Sequence, residues 1–319
     1  DITLDVATNN FSTVVITNGN NVALVDANAL ILGASTVSGT LGVTTASGVT
    51  VSANVTSAGA TTIDADSDNN GSGDFTVASS QTLSITNSAL SITANDMDLS
   101  GSLTSGSAAT TLLVSDGGTI VLGSAGGGGL NLTNAELQSI TASVLTIGDG
   151  TAGAITISSD VTPGASSGSG VATVSLITGG AITGTAGGII ETNLALTASG
   201  TINVTDANTD VDFLAISAAG QTVTFTDADA IDIKTTAGVA GITATTLNLN
   251  TAGAITDTNA LAVTGVATIA AGSGNDITLD VGTNNFGTVV ITNGNNVALV
   301  DANALILGAS TVSGTLGVT

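Results

Sequence analysis

Residues 1–44 and 276–319 are one sequence written twice. Asp1 to Thr44 reads DITLDVATNNFSTVVITNGNNVALVDANALILGASTVSGTLGVT, and Asp276 to Thr319 differs only in having Gly282 for Ala7 and Gly287 for Ser12. Equivalent positions are therefore 275 residues apart. A closed globular domain has no reason to begin again after such an interval, whereas a tandem array does. The expected organisation follows: residues 1–275 are one full long repeat of a continuous β-solenoid, and 276–319, equivalent to 1–44, open the next. The segment reads as an excerpt of a longer array.

A shorter, looser repeat lies inside the long one. Gly-Ala-Ile-Thr recurs from Gly153, Gly180 and Gly253, and GAITDTNALAVT from Gly253 resembles GGIIETNLALT from Gly187. Apolar residues alternate with polar ones in short runs: Ile2, Leu4 and Val6; Ile202 and Val204; Val223 and Phe225; Leu247 and Leu249. A period of two is that of a strand with one buried face. The runs end in Ala-Gly, Asn-Gly or Gly-Asn pairs, residues that tolerate positive φ and make corners. No stretch carries a 3.6-residue apolar stripe with caps, so helix should be almost absent.

Many short strands fit either an antiparallel sandwich or a chain that winds and stacks. Repetition at two scales favours winding, and so does a narrow interior of Val, Ile, Leu and Ala with only five Phe and no Trp or Tyr. The fold class expected is all-β, a right-handed parallel β-solenoid. With ~20 residues per coil and ~4.8 Å between coils, one period makes ~14 coils and rises ~65–70 Å.

Composition removes other classes. The chain is 42% hydrophobic and 8% charged, too apolar and too weakly charged for a disordered segment. Its formal charge is −23, with Lys234 the only basic residue, which opposes binding to nucleic acid or to an anionic membrane. No run of 18 apolar residues exists to form a membrane-spanning helix, and aromatic girdles for a membrane barrel are missing. Cysteine is absent, so no disulfide staples the fold. No signal peptide is visible, and any export signal is expected outside residues 1–319.

The run AGAITDTNALAVTGVATIAAGSGNDITLDVGTNNFGTVVITNGNNVALVDANALILGASTVSGTLGVT carries a family likeness. Its marks are GAIT followed by Ala-Leu-Ala-Val-Thr-Gly, the Asn-Asn-Phe turn at Asn284 to Phe286, and Ala-Leu-Ile-Leu-Gly at Ala304 to Gly308. Over Ala252 to Thr319 and Asp1 to Gly48 the chain resembles repeats of giant bacterial surface proteins of the filamentous-haemagglutinin type. The resemblance implies a secreted parallel β-helix that projects as a stalk or fibre, located outside the cell or on its surface. It implies no catalytic residues, and it implies that adhesive specificity lies outside the repeats.

Candidate sites are few. Asp64, Asp66, Asp68 and Asp74, in DADSDNNGSGD, resemble a calcium loop, since Ca²⁺ takes six to eight hard oxygens. Asn69 stands where a glycine is expected and no Glu closes the loop; the competing reading is a solvated acidic turn. Gly272 to Leu279 matches part of a calcium β-roll nonapeptide once only, and reads as a corner. Asp206, Asp210, Asp212, Asp227, Asp229 and Asp232 read as solvated surface, with Lys234 near enough in sequence to neutralise one of them. Asn-X-Ser/Thr sequons at Asn10, Asn54, Asn131 and Asn203 are expected by chance in a chain so rich in Asn and Thr. Thr222, Thr224 and Thr226 suggest an outward threonine array, but neighbouring segments do not continue the pattern.

An enzyme is not expected. Paired carboxylates suffice for glycoside hydrolysis, yet no Arg, His, Trp or Tyr is present to orient a sugar, and Ser or Thr would have only Lys234 as base. Gly126 to Gly129 lacks the lysine of a phosphate loop and reads as a flexible corner. No cofactor is expected beyond a calcium ion at the Asp64 loop. Two functions remain: a structural fibre or stalk whose partner is itself, through end-to-end stacking and lateral contacts, and an adhesin whose repeat face binds a glycan or partner protein. An outward Phe11 and Phe286 would favour the adhesin; inward ones would favour packing.

Overall fold

The computed structural model describes residues 1–163 and 170–319. It forms two compact units, Asp1–Gly153 with Thr162–Ala172, and Ala154–Val161 with Thr173–Thr319. This boundary falls inside the long sequence period, so the repeat and the compact unit divide the chain at different places. Both units are parallel β-solenoids, with about 16 turns between them. Among the described residues the only helical pieces are the turns Ser115–Gly117 and Asn134–Leu137. No helix there is long and apolar enough to cross a membrane.

In the first unit a coil has three faces, each a parallel sheet. Val22–Asp26, Leu30–Leu32 and Ser35–Val37 make one coil, and Leu41–Thr45, Val49–Val51 and Val55–Ser57 the next. The register Ile2↔Val22↔Leu41↔Thr61 sets a coil at 19 or 20 residues. Alternation turns every second side chain inward, so equivalent side chains stack into ladders: Leu24, Val43, Ile63, Ile92, Leu112 and Ile147 climb the first face, all buried. Each such burial is worth roughly 1.5–3 kcal/mol, and each coil supplies the surface that buries the next.

Two coils are longer. Thr61 pairs with Leu90, and the extra residues form the loop between Asp64 and Phe75. Thr110 pairs with Leu145. In that coil the second-face strand is replaced by a detour, residues 115–139, holding the parallel pair Ile120–Gly123 and Leu130–Thr133 and the helix Asn134–Leu137. Thr133 caps this short helix: its hydroxyl accepts the Glu136 N–H while the Glu136 carboxylate accepts the Thr133 N–H.

The second unit uses longer strands that run through corners, such as Asp210–Asp227, Ile242–Thr251 and Leu261–Ala270. Register shifts interrupt these long strands, as between Ala218 and Thr222, yet Val204, Phe225, Leu249, Ile269 and Ile291 still stack and are buried. Two of the Gly-Ala-Ile-Thr runs sit on adjacent coils, Ile155 opposite Ile182.

The two copies of the 44-residue sequence fold alike. Ile2↔Val22↔Leu41 in one is Ile277↔Val297↔Leu316 in the other, and Thr13↔Ile31 is Thr288↔Ile306. Polar contacts repeat too. The Oδ1 of Asp1 accepts from the Asn21 N–H and from both the Asn20 and Asn21 side chains, as Asp276 does from Asn296, Asn295 and Asn296. These donors, the Asn296 N–H first, hold the Asp276 carboxyl below the ordinary range.

Candidate functional site

The Asp64 loop does not gather its carboxylates. Asp66 is fully buried and accepts the N–H groups of Asn70 (3.3 Å) and Gly71 (3.1 Å) and the Ser115 hydroxyl (2.6 Å). Asp64 accepts the Asp66 N–H at 3.3 Å, Asp68 the Asn70 side chain at 2.8 Å, and Asp74 the Asn95 side chain at 3.2 Å. Burial raises the Asp64 carboxyl above its ordinary range, opposed by the Asp66 N–H and helped by the Asp66 charge. Asn69, at the position where a calcium loop wants glycine, adopts φ 51°, which asparagine tolerates. Among the described residues no group of three or more acidic side chains is placed to hold a metal ion, this loop included. Asp64, Asp66 and Asp68 accept donors of their own loop, while Asp66 and Asp74 also hold Ser115 and Asn95 outside it.

Gly272 to Asp276 is a corner that leads into the strand Ile277–Leu279. Asn275 donates to the carbonyls of Ala252 and Ala271, while Asp276 anchors the asparagine pair above it.

The second acidic cluster corrects the expectation of solvated surface at one residue. Asp227 is 2% exposed. Its Oδ1 accepts the Val211 N–H at 2.9 Å and its Oδ2 the Asp229 N–H at 3.2 Å. Burial pushes its carboxyl up to about 6, against those two donors and with repulsion from Asp229 and Asp210. Asp210 is raised by burial and then by the charges of Asp229 and Asp212. Asp212 and Asp229 are exposed, and Asp232 accepts the hydroxyls of Thr256 and Thr258. The Lys234 ammonium lies 2.8 Å from the centroid of the Phe213 ring, a cation–π contact in place of the expected carboxylate pair.

Asp227 belongs to a pattern that sequence reading missed. Asp-Ala followed by Asn or Asp occurs at Asp26, Asp64, Asp206, Asp227 and Asp301, and each carboxylate accepts the N–H two residues on. At Asp26, Asp227 and Asp301 the carboxylate also accepts an N–H from 15 or 16 residues earlier in the chain, those of Phe11, Val211 and Phe286. At three of its five occurrences the tripeptide thus acts as a coil latch, and its recurrence was the available signal.

The threonine run does not extend into an array. Thr222 lies opposite Thr246, but Thr224 lies between Asn203 and Asn248, Thr226 lies opposite Asn250, and the next coils put Ala270 and Val290 in line.

Phe286 points inward, buried against Val263 of the preceding coil. Phe11, whose coil has no preceding neighbour within this chain, is half-buried. The Asn131 sequon is buried, its side-chain amide donating to Asp96 and to the Gly129 carbonyl. Gly126, Gly127 and Gly129 all have positive φ, as the glycine-run corner requires.

A groove of about 610 Å³ lies where the detour meets the regular coils of the first unit. Asp96, Asp98, Asn131 and Glu136 line it, with Gly126 at its edge. Asp96 accepts the N–H groups of Met97 (2.9 Å) and Asn131 (2.8 Å), and Glu136 accepts the Leu99 N–H (3.1 Å). Nothing in the local sequence marks this site, because its acids come from one coil, Asp96 and Asp98, and from the helix of the next, Glu136.

The family model described as Repeats of unknown function (DUF5649) matches residues 19–82, 220–293 and 294–319. The first and third matches begin at Gly19 and Gly294, equivalent positions of the long repeat, and the groove residues fall between matched stretches. No curated protein and no solved structure matches the chain. With just over half of its residues matched, in register with its own period, the chain belongs to the DUF5649 family of repeats.

Proposed function

We propose that the chain is a non-catalytic scaffold: a stretch of an extracellular stalk or fibre assembled from stacked coils of a long tandem-repeat protein. The observation that carries this reading is the second copy of the 44-residue sequence, which rebuilds the strand registers and the Asp–Asn contacts of the first. A unit that re-forms unchanged after one period can be added without limit. The filamentous-haemagglutinin likeness supports placing such a stalk on a bacterial surface. Cryo-electron microscopy of a chain carrying several periods tests it. We expect continuous layers at ~4.8 Å and a longer repeat near ~65–70 Å; separate globular beads would overturn the reading.

A second reading, an adhesive repeat, is favoured by one observation only. The groove beside residues 115–139 has no counterpart in residues 1–44, so an array would present it once per period. The buried Phe286 gives no support to an aromatic adhesive face.

A further inference from the structure

The chain contains three Asn-Gly pairs, Asn18-Gly19, Asn70-Gly71 and Asn293-Gly294. Such a pair can react with itself. The glycine backbone nitrogen attacks the asparagine side-chain carbon, ammonia leaves, and water opens the resulting succinimide to aspartate or isoaspartate. Glycine suits this role because no side chain crowds its nitrogen, and asparagine counts among the thermolabile residues. The fold treats the three pairs differently.

Two of them are packed between coils. Gly19 and Gly294 are buried, and a Cβ on them would stand 2.8 Å from the Val22 side chain and 2.9 Å from the Ile277 side chain. The Gly19 N–H is also tied to the Thr36 carbonyl at 3.1 Å. A peptide carbonyl holds an N–H without taking its proton, so this nitrogen is restrained and not activated.

Asn70 lies instead at an exposed bend of the loop between Asp64 and Phe75. Each atom that changes in the reaction has a fitting partner there. The Gly71 N–H, the nucleophile, donates to a carboxylate oxygen, Asp66 Oδ2, at 3.1 Å. Asn70 Oδ1, where negative charge develops as its carbon becomes tetrahedral, accepts the Ser72 hydroxyl. Asn70 Nδ2, the leaving nitrogen, donates to Asp68 Oδ2 at 2.8 Å. A proton acceptor on the nucleophile and a donor on the developing oxyanion are the two aids such a step requires. Asp66 is moreover buried and anchored by the Ser115 hydroxyl at 2.6 Å, so the acceptor is held from outside the loop.

We propose that residues 66–72 form a self-modifying site that converts Asn70 to aspartate or isoaspartate. The bond from Gly71 N to Asn70 Cγ forms as the nitrogen's proton passes to Asp66. The Cγ–Nδ2 bond then breaks, Nδ2 takes up a proton from solvent, Asp66 gives its own back, and ammonia departs. Solvent water hydrolyses the succinimide at either of its carbonyls. The net change is one water consumed, one ammonia released and one carboxylate added to the loop. The site goes beyond the scaffold reading and does not rest on it: its failure leaves the layer-spacing experiment untouched.

Incubation of the full chain at neutral pH tests it, with peptide mapping by mass spectrometry and enzymatic scoring of isoaspartate. Asn70 should convert at least about tenfold faster in the folded chain than in the same chain unfolded in urea. Asn18 and Asn293 should convert more slowly when folded. Ser72→Ala, at an exposed residue, should slow Asn70 by about tenfold with the melting curve unchanged. Slower conversion of Asn70 in the folded chain than in urea would overturn the proposal, by showing that Asp66 only restrains Gly71. So would an unaltered rate in Ser72→Ala.

Discussion

Asp227 and Val211 close one coil of the second unit: the buried carboxylate takes the Val211 N–H at 2.9 Å, and the strand between them makes the rest of the loop. Asp26 with Phe11 and Asp301 with Phe286 repeat the arrangement. At Asp227 burial disfavours the charge of the carboxylate, and that has a measurable sign.

The Asp227 carboxyl is raised from 3.8 to about 6 in the folded chain. A raised folded value means the folded state binds the proton more tightly than the unfolded one. The stabilisation is complete below pH 3.8 and is lost as pH rises through about 6. Urea midpoints should therefore increase between pH 7 and pH 4, by the equivalent of about 1–2 kcal/mol after allowance for solvent screening at the corner. Burial also raises Asp64, Asp210 and Asp257, in the same direction. Asp227→Asn should flatten much of the profile; an unchanged slope would show that the latch is not its source.

The two differences between the repeat copies make a paired test. Gly282, the counterpart of Ala7, faces open space, whereas a Cβ on Gly287, the counterpart of Ser12, would lie 2.5 Å from the Thr264 carbonyl oxygen. Gly282→Ala should change stability by no more than about 0.5 kcal/mol. Gly287→Ser should destabilise by about 1–3 kcal/mol through overpacking against the preceding coil. Denaturant titration of the two variants side by side decides whether that close approach is real.

Leu249 sits in the buried ladder between Phe225 and Ile269. Leu249→Ala should cost about 2–5 kcal/mol, transfer and cavity together. Because coils depend on their neighbours, hydrogen exchange should accelerate first in Val223–Phe225 and Ala267–Ile269. Uniform acceleration across the chain would instead mean that coils do not open separately.

Lys234 is the only residue that trypsin can use, and its ammonium is held over Phe213. The folded chain should survive trypsin for hours and yield two fragments after denaturation. Rapid cleavage of the folded form would contradict the local order at the end of Ile231–Ile233.

The fold was legible because alternation is a local signal. Val223, Phe225, Leu247 and Leu249 announce in sequence which side chains turn inward, and the structure buries all four. The 19 or 20 residues of the first coils agree with the ~20 taken for a solenoid coil, and strand positions followed from these runs. The three faces of the first unit did not, since a corner such as Ser38 to Thr40 reads the same in any winding. Asp227 was misread because its Asp-Ala-Asp tripeptide signals only the local Asp229 N–H, while the Val211 N–H that buries it comes from sixteen residues earlier in the chain. The threonines around Thr224 stay a local run, as their sequence indicated, because register sets Asn203 and Asn248 beside Thr224. The groove escaped notice because Asp96 and Glu136 meet only after a 35-residue coil closes.

A coil of 19 or 20 residues contributes ~4.8 Å of height as a folded layer. Drawn out, the same residues span on the order of 65–70 Å. A stalk built this way carries slack more than ten times its own layer height in every turn. A pull that strips one coil is absorbed as length, and the coils beyond it keep their grip.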